Sequence, residues 1–123
     1  MIVTSDSISE NIDFFKNDDP KSISNKIFTC NLSDLFAMGA EPYCYTLNLF
    51  LPNYISKKWL KIFTSELYKL QKKYKLYLLG GDLSKSKELI ISSTFFGKIN
   101  SDKKAIPQNK LYNNDDIWVS GNI

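Results

Sequence analysis

The chain has 123 residues, 43% of them hydrophobic, with 16 Lys or Arg against 13 Asp or Glu and a formal net charge of +3. That is the length of one ordinary domain with enough apolar material for a core, and the scattered lysines form no concentrated basic stripe of the kind nucleic acid selects. No run approaches the length of a membrane span, no signal pattern opens the chain, and there is no histidine, so any metal site built from these residues is oxygen-rich.

Ile2 and Val3 lead into Thr4-Ser5-Asp6, read as the stub of a strand that ends in polar residues and whose start is cut short. From Ser7 to Pro20 the chain is polar and carries Glu10, Asp13, Asp18 and Asp19, the pattern of a loop with a brief turn around Phe14-Phe15. A loop of that length invites a functional explanation. Between Ser22 and Met38, Ile27, Phe28, Leu32, Leu35 and Phe36 recur at helical spacing, and Gly39 followed by Pro42 stops the helix. Asn31 and Asp34 lie on one face of it.

Tyr43 to Leu51 alternates as a strand, with Tyr45, Leu47, Leu49 and Leu51 on one side and Cys44, Thr46, Asn48 and Phe50 on the other. Ser56 caps a second helix that runs to about Tyr74, with Leu60, Phe63, Leu67, Leu70 and Tyr74 along one stripe and lysines opposite. Leu76 to Leu79 reads as a short buried strand that Gly80-Gly81 breaks, with Asp82 following at once. Leu89 to Ile99 is a further strand, Asn100 to Asp115 a polar connection, and Ile117-Trp118-Val119 a last strand. Trp59 and Trp118 read as packing residues, and Cys30 and Cys44 as buried free thiols in a reducing cytoplasm. The order βαβαββ gives an α/β or α+β sandwich, with helices on one face of the sheet.

Three separated aspartates, Asp6, Asp34 and Asp82, stand where chemistry is expected. Hydroxyls beside a carboxylate, as in Thr4-Ser5-Asp6, suit direct ligation of Mg²⁺ or a metal-bound water, although turn hydrogen bonding explains such triplets as readily. Asp34 reads equally well as a solvated helix residue. Paired glycines before Asp82 let the backbone approach a ligand and free amides for phosphate oxygens, although a plain turn has the same look. The spacing fits neither a P-loop nor a dinucleotide fingerprint.

Taken together, Thr4-Ser5-Asp6, the segment from Asn31 through Asp34 and Met38-Gly39-Ala40 to Pro42, Leu78-Leu79-Gly80-Gly81-Asp82 and Ile117-Trp118-Val119-Ser120-Gly121 resemble the thiamine-monophosphate kinase family in order and spacing. The resemblance implies the N-terminal domain of the aminoimidazole ribonucleotide synthetase-like fold, a mixed sheet with helices on one face that pairs with its twin in a homodimer. On that reading residues 1–123 are a single ATP- and Mg²⁺-binding domain, a fragment whose C-terminal domain is absent or supplied by another chain. The implied reaction is ATP-dependent phosphorylation of thiamine phosphate to thiamine diphosphate, in the cytoplasm and without nucleic acid or membrane.

Carried over residue by residue, Thr4, Ser5, Asp6, Asp34 and Asp82 match Mg²⁺ ligands, and Gly81 and Asp82 match an ATP-contacting pair. No catalytic side chain is named, as phosphoryl transfer asks mainly for positioned metals and phosphate cradles. Asp13 stands where the family has a substrate-contacting histidine, and Gln108 where it has an arginine that meets ATP. An alternative of a different class is a catalytically inactive nucleotide-binding or dimerisation module, and a third reading is a related enzyme with another acceptor.

Overall fold

The computed structural model describes residues 1–100, 102, 104–107, 109, 112–119 and 121. Its elements are β1 (Ile2–Ser9), α1 (Pro20–Ala37), β2 (Glu41–Leu51), α2 (Lys57–Tyr74), β3 (Tyr77–Lys85) and β4 (Ile90–Lys98), and the strands form one mixed sheet in the order β1-β4-β2-β3. β4 runs antiparallel to both of its neighbours, and β2 runs parallel to β3. The expected order of elements, and the mixed sheet with both helices on one side, therefore hold.

Each helix begins where local chemistry favours it. Asp19 accepts a hydrogen bond from Lys21 N at 3.0 Å at the start of α1, and Pro20 occupies the first turn, where its missing N–H costs nothing. Ser56 does the same for α2, accepting from Trp59 N at 3.1 Å. α2 closes on Lys75 in the left-handed conformation, a cap that glycine adopts more easily.

Alternation along the strands divides the sheet into a covered and an open face. Ile8, Tyr45, Leu49, Ile91 and Phe95 are buried against the helices, where Phe28 of α1 meets Tyr45 edge-on at 5.3 Å and Phe95 at 4.9 Å. Gly97 on this face makes room for α1, since a Cβ there would stand 2.9 Å from that of Ala40. The open face carries rows of hydroxyls: Ser5 Oγ lies 2.9 Å from Thr94 Oγ1, and Ser7 Oγ donates to Ser92 Oγ at 2.9 Å.

Several sequence expectations need correction. β1 continues to Ser9, pairing with β4 down to Ile90, so Asp6 sits in mid-strand and not at a strand end. Gly80-Gly81 does not break β3, because backbone pairing with β2 carries the strand on to Lys85. Nor is β3 a buried strand: it forms the sheet edge beyond the reach of the helices, and Leu79 and Leu83 stay 64% and 70% exposed. Ile117, Trp118 and Val119 form no strand, having no partner among the described residues, and Trp118 is 90% exposed, so it is no packing residue. Cys44 is buried as expected, whereas Cys30 is only partly so, lying toward the edge of the helix face. Gln108 lies outside the described residues.

Candidate functional site

Three of the expected residues converge where α1 crosses the β1 edge. Thr4 and Asp6, two apart on β1, face the helix layer, and Thr4 Oγ1 donates to Asp34 Oδ2 at 2.7 Å. Burial raises the carboxyl of Asp6 above its ordinary range, and the nearby charge of Asp34 raises it further. Two carboxylates that press on each other in this way call for a cation between them. Beside them opens a pocket of about 370 Å³ lined by Ile2, Val3, Thr4, Asp34, Met38 and Pro107.

The other two expected ligands lie elsewhere. Ser5 follows the strand alternation onto the open face, where it meets Thr94. Asp82 is in register with Asn48, whose row of Ser7 and Ser92 also faces the open side, and Ser84 Oγ donates to Asp82 Oδ2 at 2.6 Å. Three inter-strand steps separate β1 from β3, which puts Asp82 roughly 14 Å from Asp6 within one chain. Gly81 has a separate reason to be glycine: a Cβ there would stand 1.6 Å from the Leu47 carbonyl oxygen, so β3 can approach β2 only without a side chain. An apolar groove of about 530 Å³, lined by Leu47, Leu49, Thr64, Leu78 and Leu83 among others, runs beside the Gly80-Gly81-Asp82 segment.

Asp13 is engaged by its own turn. Its Oδ2 accepts from Ser9 N at 2.8 Å and from Ser9 Oγ at 3.4 Å, while Lys26 Nζ donates to its carbonyl. The same turn is latched by Glu10, 4% exposed, which accepts hydrogen bonds from the Tyr54 hydroxyl and from Leu89 N. Burial and the Glu10 bond push the Tyr54 phenol up to about 12. Sequence reading passed over both Glu10 and the depth of Asn31, which is fully buried with its Oδ1 unpartnered. The polar residue placed among apolar ones at helical spacing was the available signal for Asn31.

Among the described residues no group of three or more His, Cys, Asp or Glu side chains gathers. The set between α1 and β1 is instead one threonine hydroxyl and two carboxylates. Mg²⁺ accepts such a set, as it is often held by one or two carboxylates together with waters and substrate phosphates. The residues present fit the ion.

A split βαβ unit with an all-oxygen cluster at one edge and a glycine-paired strand at the other defines the class of domain. The family model for AIR synthase related protein, N-terminal domain, matches residues 1–99, and the chain belongs to that family. It is 38% identical over all 123 residues to a thiamine-monophosphate kinase of Buchnera aphidicola subsp. Schizaphis graminum, of which it spans 37%. Among solved structures it resembles thiamine monophosphate kinase from Aquifex aeolicus, with a TM-score of 0.79 and 25% identity over 85% of this chain and 35% of that one. It also resembles AaThiL complexed with AMPPCP and TMP, with a TM-score of 0.74 and 27% identity over 77% of this chain and 31% of that one.

Proposed function

We propose that the chain is the ATP- and Mg²⁺-holding part of a thiamine-phosphate kinase, which moves the terminal phosphoryl group of ATP onto thiamine phosphate to form thiamine diphosphate. The observation that carries this reading is the meeting of Thr4, Asp6 and Asp34 at one edge, joined by a 2.7 Å hydrogen bond although thirty residues apart in sequence. In this reading the two carboxylates hold the ion, Thr4 orients Asp34, and Gly81 and Asp82 contact the nucleotide. The bound ion would neutralise charge on the transferring phosphate. Positioning and charge compensation then suffice, and no general base is assigned.

Asp82 joins the cluster if the protein is a homodimer. β1 and β3 are the two outer strands of the sheet, and β3 exposes Leu78, Leu79 and Leu83. A second copy with its β3 edge beside the β1 edge of the first sets Asp82 of one copy near Asp6 and Asp34 of the other. The chain spans 37% of its curated relatives, so residues corresponding to the remainder, in this or another chain, would complete the thiamine phosphate site. A free buried thiol at Cys44 suits a reducing compartment such as the cytoplasm.

Mg²⁺ and a non-hydrolysable ATP analogue are expected to raise the melting temperature of the chain together, and Asp34→Asn or Asp82→Asn to remove most of that rise. Unchanged ligand-induced shifts in both variants would refute the assignment. A second reading, a non-catalytic nucleotide-binding or dimerisation module, is favoured by Asp13, whose carboxylate is bonded to Ser9 rather than free for substrate. Thiamine phosphate turnover by the chain together with the remaining portion of a relative separates the two readings, since the module gives none.

A further inference from the structure

Asn31 is the polar residue on α1 for which packing gives no account. It is 0% exposed, its Nδ2 donates to Ile27 O at 3.0 Å, and its Oδ1 is the sole buried side-chain polar atom without a partner among the described residues. The hydrogen bond to a helix carbonyl fixes which end of the amide is nitrogen, so the unpartnered atom is an acceptor in need of a donor.

Its position follows from how α1 crosses β1. Asp34 bonds to Thr4, and Met38, one turn further along α1, lines a pocket with Ile2 and Val3, which lie further back along β1. Helix and strand therefore run antiparallel here. One turn back from Asp34, about 5.4 Å, brings Asn31 level with the residue about 6.7 Å on from Thr4, which is Asp6. Asn31 and Asp34 lie three apart and share a face, so the unsatisfied oxygen sits at the inner wall of the Thr4–Asp6–Asp34 cluster. Two carboxylates and a carbonyl oxygen converge there, and none of them brings a proton to Oδ1. A water bound to a cation brings two.

We propose that Asn31 is a positioning residue of the cation site, its Oδ1 accepting a hydrogen bond from a water in the shell of a divalent ion held by Asp6 and Asp34. The inference rests on the metal reading above and adds a residue to it. Outer partners of this kind tune affinity without touching the ion.

The test uses Mn²⁺ alone, titrated calorimetrically into the native chain, Asp34→Asn, Asn31→Leu and Asn31→Asp. Asn31→Leu fills the space without an acceptor, and Mn²⁺ binding is expected to weaken about tenfold or more. Asn31→Asp keeps an acceptor at the same place and loses the donation to Ile27 O, so it is expected to bind at least as tightly as the native chain. A purely structural role would treat the two substitutions alike. Native affinity in Asn31→Leu overturns the inference, as does loss of binding in a folded Asn31→Asp, and the latter decides the matter if the leucine variant does not fold. Absence of Mn²⁺ binding by the native chain overturns the metal reading and this inference with it. Binding that Asp34→Asn abolishes and Asn31→Leu leaves intact overturns the inference alone.

Discussion

The two edges of the sheet carry aspartates in comparable sequence settings and treat them differently. At the β1 edge α1 packs over the strand, so Asp6 and Asp34 are partly desolvated and close enough to repel. At the β3 edge no helix covers the strand, and Asp82 rests against Ser84 with apolar neighbours left exposed. A carboxylate becomes a strong ligand where a second element crosses it. On an uncovered edge it depends on whatever docks there.

The largest expected effect breaks the covered half. Phe95 is 0% exposed and packs within 4.9 Å, centroid to centroid, of both Phe28 and Tyr45, so Phe95→Ala removes the contact that seats α1 on the sheet. A loss of about 4 kcal/mol in urea unfolding is expected, against a change within about 0.5 kcal/mol for Leu83→Ala on the uncovered strand. Equal losses would mean that β3 is packed after all.

Gly81→Ala should cost less than Phe95→Ala and act at the other edge. The new methyl collides with the Leu47 carbonyl, a backbone atom that cannot rotate away, so β3 must shift from β2. About 2 kcal/mol of stability is expected to be lost, with faster amide exchange confined to β3. Fast exchange spreading into β1 and β4 would show that the two edges open as one unit.

Much of this difference was legible in the sequence for α1 and little of it for β3. The period of Ile27, Phe28, Leu32 and Leu35, with Gly39 as a stop, is a strong local signal, and α1 runs Pro20–Ala37, close to the expected span. Thr4, Asp6 and Asp34 could be grouped through the resemblance, and the crossing of helix and strand supplies the physical reason. Leu76-Tyr77-Leu78-Leu79 looked like a buried strand because apolar runs usually are, but coverage depends on where the helices land, which no local pattern encodes. Gly80-Gly81 looked like a break because the pairing of β3 with β2 is a non-local contact. Ser5 was taken with its neighbours as a ligand, whereas strand alternation turns it to the open face. Ile117-Trp118-Val119 had strand composition but met no partner.

The smallest expected effect is electrostatic and sharpens the comparison most directly. Asp6 has its carboxyl raised from the ordinary 3.8, first by burial and then by Asp34. Between 3.8 and that raised value the folded chain holds a proton that the unfolded chain has released, so folding is favoured at the acid end of the window and stability falls as pH rises through it. At neutral pH, without a divalent cation, the native chain therefore carries an unrelieved repulsion. Asp6→Asn removes it, and a small rise in melting temperature at pH 7 is expected, shrinking to nothing on acidification below 3.8, where both side chains are neutral. Mg²⁺ should close the same gap from the other side, by stabilising the native chain and not the variant. An Asp6→Asn chain that melts no higher than the native one at neutral pH would mean that Asp34 does not press on Asp6, leaving the β1 edge as electrostatically quiet as the β3 edge and without the repulsion that calls for a cation.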